Sequence, residues 1–240
     1  MKTILFKSGD RGKGDYGWLQ ANYSFSFANY RDPERDHFGA LRVLNDDFIK
    51  AGAGFGEHPH RDMEIISIPL KGGLKHKDSM SNSWIPLMAG EVQVMSAGTG
   101  VVHAEKNASS DEVLNLFQIW VIPERRGFDP GYAQKVFSKD DRQDKLQVLV
   151  TDYKDPSEGA LKIHQDALIS RLDLSKDNAF EYQLKSDRHG VYMMIISGEV
   201  DSEGKTLESR DAMGIWDTDQ FKVSARATAE ILFIEVPMYF

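Results

Sequence analysis

Apolar and polar residues alternate along most of this chain, in short runs of the length that strands take. Leu41-Arg42-Val43-Leu44, Met63 to Leu70, Val92-Gln93-Val94-Met95, Val113 to Ile122, Leu146 to Val150, Val191 to Ile196 and Ile231 to Val236 are rich in β-branched and aromatic residues. Gly, Pro, Asn, Asp and Ser separate them, as turn residues separate strands. Helix signals are sparse. Ser138-Lys139-Asp140-Asp141 would cap one turn, and no long amphipathic pattern follows it. Many short strands at regular spacing predict an all-β sandwich or barrel.

A weak internal repeat sharpens that picture. Leu116 to Pro123 resembles Leu232 to Pro237, each an apolar strand closed by Pro. Upstream, Ile68 to Gly73 has a counterpart in Ile195 to Val200, and Gly90 to Met95 aligns with Asp211 to Trp216. Two copies of one small barrel account for this better than a chance match of strand–turn–strand segments. The boundary is expected in the Gly/Pro-containing stretch Gly127 to Gly131, which divides the chain into residues 1–130 and 131–240.

Two short clusters carry the candidate chemistry: His58-Pro59-His60 and His103-Ala104-Glu105. Both lie in stretches that read as strand. Alternate side chains of a strand share a face, so His58 and His60 project together, and so do His103 and Glu105. Two such pairs meeting in a barrel would surround one metal ion with three imidazoles and a carboxylate. The second copy lacks these ligands. It has Gln183 to Asp187 with a lone His189, then Trp216, Asp217 and Asp219. One metal, in the N-terminal copy, is the expectation.

Composition narrows the alternatives. At 240 residues the chain can bury a sizeable core. It has no cysteine, which excludes disulfides, thiolate zinc sites, iron–sulfur clusters and a Cys nucleophile. The net charge is −8 and the pI is near 5.4. Short basic clusters such as Lys71 to Lys77 and Arg125-Arg126 are mixed with acids, so direct nucleic-acid binding is not expected. The N-terminal apolar run is too short for a signal peptide. No apolar run approaches the roughly 20 residues that span a bilayer. The expectation is a cytoplasmic protein with no membrane partner.

The motif Gly54-(x3)-His58-x-His60-(x3)-Glu64, followed by Gly90 and Gly98-(x4)-His103-(x3)-Asn107, resembles the two cupin motifs. Phe25 to Tyr30, His58 to Glu64 and Ser96 to Glu105 together resemble pirin, and look closest to the bacterial pirin-like proteins that oxidise quercetin. The match is dense in the N-terminal half and loose in the C-terminal half. The resemblance implies a bicupin, with two cupin barrels packed face to face and one iron-type metal in the first. It also implies that His58, His60, His103 and Glu105 hold the ion. In many other cupins the carboxylate ligand is the Glu of the first motif, here Glu64. Parity leaves both open, because 58, 60 and 64 share a face if the strand is regular.

Four such ligands on Fe(II), Mn(II), Ni(II) or Co(II) would leave two open octahedral positions; Cu and Zn are further candidates, with zinc tending to close at four. Two vacancies suit a flavonol, whose hydroxyl adjoins a carbonyl, together with dioxygen. The base would be Glu105 or Glu64. The leading function is a quercetin 2,3-dioxygenase-like oxidoreductase. The resemblance also implies an alternative, a non-enzymatic regulatory or protein-binding protein with a structural or redox-sensing iron. A cupin isomerase or sugar-binding protein is a third option.

Among the remaining residues, Phe25, Phe27, Met63 and Trp120 could line the pocket or form plain core. His76 and Asn107 read as structural, as do His37, His164 and His189. Asn45-Asp46-Asp47 reads as a turn or bulge. Gly98 and Gly100 read as a tight turn leading into His103.

Overall fold

A computed structural model describes residues 1–156 and 158–239. Strands dominate it. Regular helix among the described residues is confined to two single 3-10 turns, Ser8–Asp10 and Lys139–Arg142. The second is capped by Ser138, whose side chain accepts from the Asp140 N–H, as its sequence predicts. No helix among the described residues is long and apolar enough to cross a membrane.

The strands form two halves of matching order. In the N-terminal half, a seven-stranded sheet runs Gly131–Val136, Glu91–Ser96, Glu64–Lys71, Leu114–Val121, Leu41–Ile49, Leu19–Tyr23 and Gly12–Asp15. In the C-terminal half, a nine-stranded sheet contains Lys2–Phe6, Ala212–Trp216, His189–Ser202, Gln220–Pro237 and Leu168–Leu174 in that order. Its four inner neighbours repeat the order of Glu91–Ser96, Glu64–Lys71, Leu114–Val121 and Leu41–Ile49. The segments matched in the sequence therefore occupy matching places in two cupin barrels.

The two barrels exchange edge strands. Lys2–Phe6 pairs with Ala212–Trp216 in the C-terminal sheet. Gly131–Val136 pairs with Glu91–Ser96 in the N-terminal sheet. Each thereby covers an edge that would otherwise expose unpaired backbone groups. A single cut at residue 130 does not separate the two sheets, because both of these strands cross it.

The sheets pack face to face. One continuous core joins Leu44, Ile66, Ile68, Phe117 and Ile119 of the first to Ile169, Tyr192, Met194, Leu232 and Ile234 of the second. The opposite faces of the same strands line the two barrel interiors. The central strands Glu64–Lys71, Leu114–Val121 and Gln220–Pro237 thus have little or no solvent face along their apolar stretches, which is why they read as near-continuous apolar runs rather than clean alternation. The C-terminal interior is filled by apolar side chains, among them Leu172, Tyr182, Met193, Phe221 and Phe233. The N-terminal interior is only partly filled, by a cluster that includes Leu19, Tyr23, Leu74, Leu87 and Leu116. What remains open there is the candidate site.

Candidate metal centre

A four-stranded sheet closes the N-terminal barrel and carries the imidazoles. Its order is Gly54–His60, Val101–Asn107, Gly73–Asp78, Ile85–Met88. His103 lies opposite His58 across the first pair of strands, and Val101 lies opposite His60. Glu105 lies opposite Phe55, so the Gly54–His60 strand carries one extra residue between its two paired positions. Gly56 sits in that irregularity, and its carbonyl is 2.8 Å from His58 Nδ1. Pro59 is tolerated because this strand is at the sheet edge. The tight turn before Val101 holds Gly98 at φ 47° and Gly100 at φ 146°, a conformation that favours glycine.

The clustering expected of the three histidines is present. His58, His60 and His103 each offer a ring nitrogen within 4.8 Å of the others. His103 Nε2 is 2.9 Å from His58 Nε2. Two cis ligands with bonds of ~2.1 Å stand ~3.0 Å apart in an octahedron, so this spacing is that of neighbouring donors. The Gly56 carbonyl takes the His58 Nδ1–H and leaves Nε2 with its lone pair facing the cluster, the usual way a ligand's tautomer is set. Burial, with the neighbouring His58, pushes His60 down to about 4 and holds His103 well below its ordinary range. Both rings are therefore neutral at physiological pH, the form that binds metal. Three imidazoles, no thiolate and a buried carboxylate fit a divalent ion of the nitrogen- and oxygen-binding class.

Glu105 lies beside this group. It clusters with His103 and His76 within the same 4.8 Å, and it lines the same cavity as all three candidate imidazole ligands. Its Oε2 accepts from Gln118 Nε2 at 2.7 Å, while Ser67 Oγ is 3.5 Å from Oε1. Burial pushes its pKa up to about 7, against the two hydrogen bonds that lower it. Gln118 and Ser67 escaped the sequence reading. The only available signal was their inward parity in strands rich in Ile and Leu.

Glu64 is placed elsewhere. The strand ends at His60, Asp62 takes φ 49°, and Glu64 opens a strand of the other sheet. Parity does not carry across that break. Ile65 and Ser67 face the barrel interior, whereas Glu64 shares the opposite face with Ile66 and Ile68. Ser96 Oγ donates to Glu64 Oε2 at 2.6 Å, and burial raises the Glu64 pKa to about 7. Of the two carboxylates that parity left open, Glu105 is the one beside the imidazoles, and Glu64 belongs neither to the metal group nor to the cavity lining.

One other expectation changes. Asn45, Asp46 and Asp47 form no turn; they lie inside the Leu41–Ile49 strand and are buried. Phe27 and Trp120 line the cavity, but Phe25 packs against Phe6 and Tyr192 in the core between the sheets. Met63 packs on the small cluster of Ile65, Met95 and Val101. His76 and Asn107 are both buried and hydrogen-bonded. His76 Nε2 donates to Asp78 at 2.9 Å, and Asn107 ties the turn at Ser109 and Glu112. His189 bridges Glu235 and Asp166, and His164 stacks between Phe128 and Tyr153.

The cavity has a volume of about 240 Å³. Phe27, Phe55 and Trp120 form its half-buried aromatic rim, with Trp120 packed edge-on to His60 at 4.9 Å between ring centres. Leu19, Ala21, Tyr23 and Ile65 form a buried floor.

Residues 7–121 match the pirin family model, and residues 148–236 match the quercetinase C-terminal cupin domain. Curated relatives include a quercetin 2,3-dioxygenase of Escherichia coli, 44% identical over 97% of this chain and 98% of its own length. A putative quercetin 2,3-dioxygenase of Pseudomonas aeruginosa is 43% identical over 94% of this chain and 95% of its own length. Among solved structures, the E. coli bacterial pirin YhhW in complex with nickel(II) superposes with a TM-score of 0.92 at 40% identity, covering 98% of this chain and 99% of that one. With two cupin barrels, a histidine cluster in the first and near full-length similarity to these proteins, the chain belongs to the pirin family.

Proposed function

We propose that this protein is a metal-dependent dioxygenase that opens the ring of quercetin-like flavonols. The observation that carries the reading is the aromatic-rimmed cavity, lined on one side by three imidazoles and by a buried carboxyl group. At about 240 Å³ it lies just below the ~300–1,000 Å³ of typical small-molecule sites, and it admits a flat aromatic group.

The ligands proposed for the ion are His58, His60, His103 and Glu105, with Fe(II) as the proposed metal. When bound, the ion would supply Lewis acidity that favours the ionised flavonol hydroxyl, and a route for the electron-rich ring to react with dioxygen. The flavonol itself is the reductant, so no further electron donor is needed. The protein's part is binding, orientation and proton handling. Phe27, Phe55 and Trp120 offer ring faces and edges to an aromatic substrate and exclude water from it. Glu105 Oε2 is held by Gln118, which leaves Oε1 as the atom to take the hydroxyl proton.

A regulatory protein with a structural metal would be better served by a sealed ion. The open cavity supports the enzyme instead, as do the names of the relatives. The test is anaerobic reconstitution with Fe(II), followed by oxygen-electrode measurement with quercetin. Metal-dependent oxygen uptake is expected. If fully loaded protein consumes no dioxygen with any flavonol, the enzyme reading fails and the regulatory one replaces it.

A further inference from the structure

The deep wall of the same cavity carries two polar side chains that no part of the proposed mechanism uses. Asn45 and Asp47 stand at i and i+2 on the Leu41–Ile49 strand, so both project into the barrel. They are 4% and 3% exposed, and both line the cavity. Oδ1 of Asn45 and Oδ1 of Asp47 have no hydrogen-bond partner. The intervening Asp46 points the other way, where it accepts from Asn115 at 2.8 Å and pairs with Arg210 at 3.2 Å.

Unpartnered buried acceptors are costly, and native proteins rarely keep them without a use. Here two stand together beside Leu19, Ala21, Tyr23 and Ile65, and their polar cross-strand neighbour Gln118, opposite Asn45, donates to Glu105 and leaves both acceptors unpaired. A strand interior between such neighbours would pack well with Val or Leu. Its polarity is therefore unexplained by folding, but it is what a ligand carrying O–H donors would require.

We propose that Asn45 and Asp47 form a hydroxyl-recognition subsite, which accepts hydrogen bonds from phenolic O–H groups of the substrate other than the hydroxyl beside its carbonyl. This deepens the flavonol reading and rests on it. The subsite would make the pocket selective for polyhydroxylated aromatics over apolar ones of the same shape. A wall built to bond a hydroxyl rejects a ligand lacking it, because its buried acceptors then stay unpaired. Burial, reinforced by Asp46 and Glu105, pushes the Asp47 pKa up to about 8. The side chain therefore enters the unliganded cavity largely as the neutral acid, with Oδ1 still able to accept.

The test is anaerobic binding of two flavonols, followed by fluorescence so that no turnover is needed. Quercetin carries hydroxyls at several positions; 3-hydroxyflavone carries only the one beside the carbonyl. Metal-loaded wild-type protein should bind quercetin at least about tenfold more tightly than 3-hydroxyflavone. Asp47→Val should remove most of that preference, weakening quercetin and, because no buried acceptor is then left unpaired, binding 3-hydroxyflavone at least as tightly as wild type. Asp47→Asn, which keeps an acceptor oxygen, should retain the preference, and its metal content should equal that of wild type. The subsite is overturned if wild type does not prefer quercetin. It is also overturned if Asp47→Val weakens both ligands equally, or if Asp47→Asn loses the preference as Val does. If wild type binds neither flavonol, the flavonol reading itself fails and the subsite falls with it. Binding of both with an unchanged ratio in Asp47→Val overturns only the subsite.

Discussion

Replacing Gln118 by Leu should weaken metal binding in a way that depends on pH. Gln118 Nε2 donates to Glu105 Oε2 at 2.7 Å, and both residues are buried. A hydrogen bond to a charged group is worth ~1.5–3 kcal/mol. At ~1.36 kcal/mol per pKa unit, its loss should raise the Glu105 pKa by about 1–2 units above its present value near 7. A metal ion must displace that proton before the carboxylate can ligate it. Below the raised pKa, the apparent affinity should therefore fall by about 10–100-fold, the size usual when a ligand loses its supporting partner. Above it the proton no longer competes, and the deficit should shrink. Competition of Co(II) or Ni(II) against a chelator, measured from about pH 6 to about pH 9.5, reads this directly; thermal melts of the metal-free variant would confirm folding. A deficit of equal size at every pH would mean that Gln118 acts by packing alone. No deficit at any pH would mean that Glu105 is not a ligand. Either result refutes the argument.

Four further outcomes are expected. His60→Ala should lose bound metal, measured by elemental analysis, and with it flavonol-dependent oxygen uptake. Glu105→Gln should retain part of its metal yet lose turnover by about 10²–10⁴-fold per bound ion, the cost of removing a general base; unchanged turnover per ion would make Glu105 a ligand only. Asp47→Asn should stabilise metal-free protein. Because the folded-state pKa of Asp47 is raised to about 8, the fold favours its protonated form, and wild-type stability declines as pH rises from the ordinary carboxylate range through 8. The variant's advantage should thus grow over that window to about 1–3 kcal/mol in urea unfolding, and an advantage largest at acid pH would contradict the sign. Gly98→Ala should lower the melting temperature by several degrees, since φ is 47° there and an added Cβ would lie 2.3 Å from the Phe128 carbonyl oxygen.

The sequence by itself determined the local parts of this protein. Strand positions follow from runs of β-branched and aromatic residues. The pairing of His58 with His60, and of His103 with Glu105, follows from a period of two that holds within any one strand. The repeat of Leu116 to Pro123 at Leu232 to Pro237 revealed the duplication because matching places in two barrels demand matching side chains. Tertiary structure decided what depends on a neighbouring strand. Glu64 follows His60 closely, but the break at Asp62 moves it to a different sheet and turns it toward Ser96. Asn45-Asp46-Asp47 has turn-forming residues, yet it stays in a strand because Asn115 and Arg210 of other segments satisfy Asp46, while Asp47 faces a cavity. The exchange of Lys2–Phe6 and Gly131–Val136 between the sheets is likewise invisible locally, since an edge strand reads alike whichever sheet it joins. Alternation fixes which residues share a face; only the packed chain fixes what that face meets.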